Sequence, residues 1–163
     1  MEKWDLYDQN GIKLNEIGIR GDILPVGRYH LVVEVWTVND QDEILITQRD
    51  QNKPFGLFWE CTGGSVIAGE SSMEGAIREL YEETGLKAQK ENMERIGRVI
   101  MDQSIYDIYL HRYNFELTEI CLQEGETIAA KKVTKEELLE LINNEQFVLR
   151  SWERVKNTKL FQQ

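Results

Sequence analysis

Cysteine is scarce in this chain. Cys61 and Cys121 are the two thiols in 163 residues, far apart and outside any C-x-x-C pair, which excludes a disulfide framework. A reducing compartment is expected. Long apolar runs are missing as well: the longest, residues 31–38, is interrupted by Glu34 and falls far short of the ~20 residues a membrane helix needs. The charged start, Glu2-Lys3-Trp4-Asp5, has no apolar run behind it that would read as a secretory signal. A soluble, cytoplasmic protein without a membrane partner is therefore expected. Basic residues are in deficit, 19 against 29 acidic, for a formal net charge of −10 and a pI near 4.8. Such a field repels nucleic-acid polymers, yet a small anion can still bind where local donors or a cation reverse it. The two histidines, His30 and His111, stand alone and read as structural, and neither a G-x-S-x-G elbow nor an H-E-x-x-H pair is present.

What the sequence does have is 41% apolar residues, enough for one core, so residues 1–163 read as a single domain. Its first part, residues 1–28, holds a short hairpin and a connecting stretch; residues 29–163 form the core. Asn10-Gly11 between two alternating arms predicts a hairpin whose two turn residues both have positive φ, followed by a connection from residue 15. Residues 30–38 and 43–49 predict strands around the turn Asn39-Asp40-Gln41-Asp42, which lacks the glycine and distal glutamate of a calcium loop. Residues 51–70 are glycine-rich and irregular, with short strand pieces. A helix over 71–84 follows from the stripe Met73, Ala76, Ile77, Leu80 and Thr84, a serine cap and Gly85 at its end. Strands over 95–101, 105–117 and 127–133, a helix over 135–143 capped by Thr134, and a short helix around 152–160 complete an α/β chain. A mixed sheet between helices is the expected architecture.

Glu79, Glu82 and Glu83 lie i, i+3 and i+4 on the first helix, so their carboxylates share a stripe centred about 120° from the apolar one. Like charges at this spacing destabilise a helix, and Arg78 is the one cation inside the segment. Hard divalent cations, which take carboxylate, water and phosphate oxygens, give such a cluster a reason to exist. They also give an acidic chain a way to accept a phosphate. The nearby Gly63-Gly64 pair offers a backbone carbonyl free of side-chain bulk. Residues 64–71 nearly match a Walker phosphate loop, but Glu70 stands where the lysine is needed, which rejects that reading.

Gly64, Glu70, Arg78-Glu79-Leu80, Glu82-Glu83 and Gly85-Leu86 match the pattern G-x5-E-x7-R-E-U-x-E-E-x-G-U at each of its nine specified positions. This segment resembles the Nudix box. The resemblance implies an α/β/α sandwich and Mg²⁺- or Mn²⁺-dependent hydrolysis of a diphosphate joined to another moiety, often a nucleoside. It further implies Glu79, Glu82, Glu83 and the Gly63 carbonyl as metal ligands, Arg78 as the group that holds a carboxylate, Glu70 as an assisting acid and Glu79 as the general base. An additional acid from a loop beyond the box is expected, with Glu126 preferred over Glu124. Arg49 and Phe58 are the other candidates for binding substrate, although a sheet domain also buries aromatics such as Phe55, Phe58 and Trp59. Homodimers are frequent in the family.

The hairpin and Thr47-Gln48-Arg49 are similar to the branch containing isopentenyl-diphosphate isomerases. Those enzymes use a cysteine and a histidine where this chain has Gly63 and Ser65, which leaves isomerisation without an acid-base pair. A catalytically silent ligand sensor is the other alternative, and its usual mark, a degraded box, is absent. The proline that marks ADP-ribose hydrolases is also absent, since Pro25 and Pro54 both precede the box. The substrate stays open.

Overall fold

The computed structural model describes residues 1–162. Strands β1 (Lys3–Tyr7) and β2 (Lys13–Ile19) form the N-terminal hairpin. Its turn differs from expectation, because Gly11 alone takes positive φ, at 74°, and Asn10 does not. The Asp8 carboxylate accepts from the Asn10 and Ile12 amides at 2.8 and 2.9 Å, closing a three-residue loop that ends on a left-handed glycine. The second strand also runs to Ile19, past the expected connection. Gly18 allows this, since a Cβ there would press on the Leu6 and Leu24 side chains that make a small cluster with Trp4.

The chain continues through β3 (Tyr29–Val38), β4 (Ile44–Arg49), β5 (Trp59–Glu60), β6 (Thr62–Ser65) and helix α1 (Ser72–Thr84). It then forms β7 (Met93–Met101), β8 (Ser104–Arg112), β9 (Thr127–Val133), α2 (Lys135–Asn143) and α3 (Leu149–Val155). All nine strands join one sheet: β3 runs antiparallel to β1 and β6 but parallel to β8, while β9 runs antiparallel to β4. The two-residue period of β3 sorts the core into two layers. Leu31, Val33 and Val35 pack with Ala76 and Leu80 of α1, whereas Trp36 and Val38 pack with Leu138 of α2 and Val155 of α3. This is the expected mixed sheet between helices.

Two boundaries move. The eighth strand ends at Arg112 instead of residue 117: Phe115 is buried, but Tyr113 is 37% exposed and no longer alternates with it. The last helix starts at Leu149, because the chain first pairs at Phe147 and Val148 with Trp59, and it ends at Val155.

Asp107 on β8 is fully buried and ties α1 to the sheet. It accepts from Arg98 Nε and Nη2 at 2.6 and 2.8 Å and from Ser72 Oγ at 2.6 Å. Asp107→Ala strands the guanidinium and frees the first turn of α1. Stability should fall by about 3 kcal/mol, at the lower end for a broken buried pair because Arg98 is partly hydrated. A shift in the urea midpoint measures it; an unchanged midpoint would mean that α1 is anchored elsewhere.

Candidate functional site

Local chemistry fixes α1 at both ends. Ser71 and Glu74 form a capping box, with Ser71 Oγ accepting from the Glu74 amide and the Glu74 carboxylate accepting from the Ser71 amide at 2.7 Å. Gly85, at φ 76°, closes the far end. Between the caps, β6 runs along the helix and brings Gly63 and Gly64 against the carboxylates. A Cβ at residue 64 would lie inside contact distance of the Glu79 carboxyl group, so glycine there is what lets Glu79 approach the strand. The Gly63 amide donates to Glu83 Oε2 at 3.3 Å.

Arg78 organises the acids. Its Nε donates to Glu70 Oε1 at 2.7 Å, Nη1 donates to Glu79 at 2.8 Å and Glu82 at 3.2 Å, and Nη2 donates to the Ser65 carbonyl at 2.9 Å. Glu70 also accepts from the Ile67 amide at 3.1 Å. Glu70 and Arg78 are not among the residues that line the cavity described below; they reach it through Glu79 and Glu82, which Arg78 contacts directly. The three glutamates share one helix stripe but not one environment: Glu83 is 6% exposed and accepts from the Gly63 amide of β6, whereas the Glu82 side chain is 42% exposed.

Burial pushes the Glu83 carboxyl up to about 8, and the neighbouring Glu60 and Glu79 carboxylates push in the same direction. Glu79 is also raised, chiefly by burial, against the pull of Arg78. Glu60 is raised by burial although Arg49 Nη1 donates to it at 2.6 Å. Among the described residues no three carboxylate, imidazole or thiol groups converge on one ion-sized point, since Arg78 draws Glu79 and Glu82 onto itself. The donor chemistry nevertheless suits a hard cation: Glu79, Glu82 and Glu83 are oxygen ligands whose mutual repulsion one divalent ion would relieve.

These groups open onto a cavity of about 430 Å³. Glu79, Glu82, Glu83, Gly63 and Gly64 line it, together with Val32 and Tyr106. Lys53 faces them from the β4–β5 loop, paired with Glu126 from the loop before β9. Lys53 is lowered, mainly by burial and then by Arg49. Glu126 is thus brought to the site, whereas Glu124 is exposed and outside it. Arg49 lies in an adjoining recess beside Glu60, with its Nε donating to the Pro54 carbonyl at 2.7 Å. Phe58 is not brought in; it packs edge-on against Phe55, with centroids 6.0 Å apart.

Sequence reasoning missed several residues of the cavity. Glu2 and Arg20 reach its mouth from the N-terminal hairpin, joined at 3.2 Å. His30 lies there too, stacked on Trp4 at 4.1 Å and hydrogen-bonded through Nε2 to Ser104 Oγ at 2.8 Å. No local signal marks these residues, because the sheet register alone brings β1, β2 and β3 together at one end. His111, by contrast, is buried, and burial lowers it to about 4, which keeps the ring neutral.

The NUDIX domain family matches residues 28–154. The chain is 31% identical over 150 residues to an uncharacterised Nudix hydrolase of Listeria monocytogenes, covering 91% of this chain and 89% of that one. In fold it is similar to a Deinococcus radiodurans protein of known crystal structure, at TM-score 0.73 and 21% identity, covering 90% and 92% of the two chains. It is also similar to a bifunctional NMN adenylyltransferase/ADP ribose pyrophosphatase of Francisella tularensis, solved with AMP and a manganese ion. That match has TM-score 0.62 and 18% identity over 82% of this chain and 41% of that one.

Proposed function

The chain belongs to the Nudix family of hydrolases acting on phosphorus-containing anhydrides, and from that premise we propose a divalent-metal-dependent pyrophosphohydrolase. Its substrate is a nucleoside diphosphate joined to another moiety. The observation that carries this reading is the carboxylate cluster itself: Glu79, Glu82 and Glu83 line one cavity of about 430 Å³ together with Gly63 and the cationic Lys53 and Arg20. The manganese and AMP in the Francisella fold relative lend support.

Mg²⁺ or Mn²⁺ held by Glu79, Glu82, Glu83 and the Gly63 carbonyl would supply the positive charge that an anionic substrate needs in this acidic chain. Arg78 keeps Glu79 in place, with Glu70 and the Ser65 carbonyl holding the guanidinium from behind. Glu79 accepts the proton of the attacking water, a role suited to a carboxylate whose basicity burial has raised. Lys53 and Arg20 contact the phosphates from the opposite side, and Glu126 orients Lys53. Because Glu2 and Arg20 line the cavity, the hairpin and the core act as one functional unit.

The test is a phosphate-release screen with a coupling phosphatase or pyrophosphatase, in Mg²⁺ and in Mn²⁺. Nucleoside di- and triphosphates, nucleotide sugars, dinucleotides, coenzyme A and isoprenoid diphosphates make up the panel, with Glu82→Gln run beside the wild type. The expected result is metal-dependent turnover that drops at least about a hundredfold in the variant, since losing even an outer partner of a metal ligand costs roughly 10- to 100-fold. Glu82 is 42% exposed, so the variant should fold. Metal-independent turnover, or near-normal activity of the folded variant, would overturn the proposal.

A further inference from the structure

The loop between β6 and α1 carries Glu70, and its backbone hydrogen bonds fall into two groups. Inside the loop, the Glu70 amide donates to the Ile67 carbonyl at 3.1 Å and the Ile67 amide donates to the Glu70 carboxylate at 3.1 Å. The two amides between them go to β1. Ala68 donates to the Lys3 carbonyl at 2.8 Å, and Gly69 donates to Asp5 Oδ2 at 2.8 Å. Gly69 takes φ 90° and open space surrounds the place a Cβ would occupy, so glycine serves the backbone path here and not the packing. Every amide of residues 67–70 is thus satisfied, half of them by the N-terminal hairpin.

An acid at residue 5 is unexpected in a strand where Trp4, Asp5 and Leu6 are all buried. Trp4 and Leu6 cluster with Leu24 on one face of the hairpin, and strand alternation sends Asp5 to the other, where the loop lies. A buried carboxylate needs donors. Asp5 has the Gly69 amide and, from β2, Lys13 Nζ at 2.7 Å, so among the described residues Gly69 is its one partner outside the hairpin. From there the connection to the reacting groups is short. Glu70 is the next residue, its carboxylate accepts from Arg78 Nε at 2.7 Å and Nη2 at 3.0 Å, and Arg78 Nη1 donates to Glu79 at 2.8 Å. The Ser65 carbonyl also holds Nη2, so a slack loop loosens Arg78 without releasing it. Lys3, Asp5 and Lys13 all precede the segment that matches the NUDIX family, residues 28–154, so this contact is an addition to that pattern.

We propose that Asp5 is a positioning residue for hydrolysis: by holding the Gly69 amide it fixes the loop that carries Glu70, and through Arg78 it sets the aim of Glu79. The inference rests on the proposed hydrolase reading, in which Glu79 accepts the proton of the attacking water. It gives the N-terminal hairpin a part in the chemistry as well as in lining the cavity. Because Asp5 does not line that cavity, its loss acts on kcat and spares KM.

Asp5→Ala removes the acceptor, whereas Asp5→Asn keeps one, since a carboxamide oxygen can still accept from Gly69. Both should fold, because the Trp4, Leu6 and Leu24 cluster is untouched and Lys13, 53% exposed, can turn to solvent. Thermal melts check this, and Asp5→Ser, whose hydroxyl is too short to reach Gly69, replaces an alanine variant that does not fold. NMR reads the connection without turnover: in Asp5→Ala, exchange of the Gly69 amide and of the Arg78 Nε–H should each quicken at least about tenfold, and in Asp5→Asn less than about threefold. Kinetics on the diphosphate that the wild type hydrolyses fastest in Mn²⁺ read the consequence. In Asp5→Ala, kcat should fall by about ten- to a hundredfold with KM within about threefold, and Asp5→Asn should restore kcat to within about threefold of wild type. A purely structural Asp5 would lower the melting temperature and leave the Arg78 Nε–H and the kcat of the folded protein unchanged. An unmoved Arg78 Nε–H, a kcat loss below about threefold in folded Asp5→Ala, or equal losses in both variants would overturn the positioning role. If Arg78 responds while the wild type hydrolyses no diphosphate of the panel, the hydrolase reading falls and the link from Asp5 to Arg78 stands.

Discussion

With Glu79 replaced by Gln, kcat falls by about two to four orders of magnitude, the range associated with losing a positioned general base, while the protein stays folded. The two halves of that expectation have separate causes. Glutamine keeps the length and shape of the side chain, and its carbonyl can still accept from Arg78 Nη1, which now donates to Glu79 at 2.8 Å. The repulsion that Glu79 exerts on Glu83 disappears, so stability should change by less than about 0.5 kcal/mol. What is lost is the charge and the basicity at the more buried of the two cavity carboxylates that Arg78 holds, Glu79 being 14% and Glu82 42% exposed. Steady-state kinetics in Mn²⁺ and a thermal melt of the same preparation check both halves. A loss smaller than tenfold in a folded protein would move the base to another acid of the cavity, Glu126 or Glu83.

The helix and its three carboxylates were legible from sequence because everything that specifies them is local. A serine cap, Gly85, an apolar stripe and acids at i, i+3 and i+4 all lie within residues 71–86. The burial of Glu83 was not legible, since it depends on β6 pairing with β3 and carrying Gly63 to the helix, while β5 pairs with β4 and brings Glu60. The hairpin turn depends on more than its Asn-Gly pair. Asn-Gly suggests two positive φ values, but the Asp8 carboxylate two residues earlier satisfies the loop amides and selects the longer turn. Gly18 falls in the stretch from residue 15 expected to be a connection, since a glycine without context favours a turn. Here it is a place where Leu6 and Leu24 must come close.

The buried Glu34–Arg154 pair was the least legible part. In sequence Glu34 is only a break in an apolar strand, and its partner Arg154 lies 120 residues further on. Likewise Glu2 and Arg20 precede the segment that matches the NUDIX family, residues 28–154, yet they reach the cavity. Contacts of this kind arise when non-local strand pairing places distant residues side by side, and no periodicity in the chain encodes them. The resemblance to the Nudix box supplied the chemistry of one wall. The opposite wall came from the register of the sheet.

Gly64→Ala should separate activity from stability. Residue 64 has no positive φ, so alanine can adopt its backbone without strain, and replacing glycine in a strand favours the folded state by roughly 0.5 to 1 kcal/mol through chain entropy. The new methyl group, however, occupies the space of the Glu79 carboxyl group, the flexible end of a side chain. Glu79 must turn away, breaking its alignment with Arg78 Nη1 and with the cavity. A displacement of about 1 Å at a reacting group costs on the order of a hundredfold in rate, so kcat should drop by about that factor while the melting temperature holds or rises. Gly63→Ala is the contrasting case. Its methyl group would meet the Val33 backbone carbonyl at 2.5 Å, which cannot swing aside, so β6 must separate from β3 and stability must fall with activity. Parallel melts and turnover numbers for the two variants decide the matter. If Gly64→Ala retained wild-type turnover, Glu79 would not need its place against β6, and the role assigned to it here would be wrong.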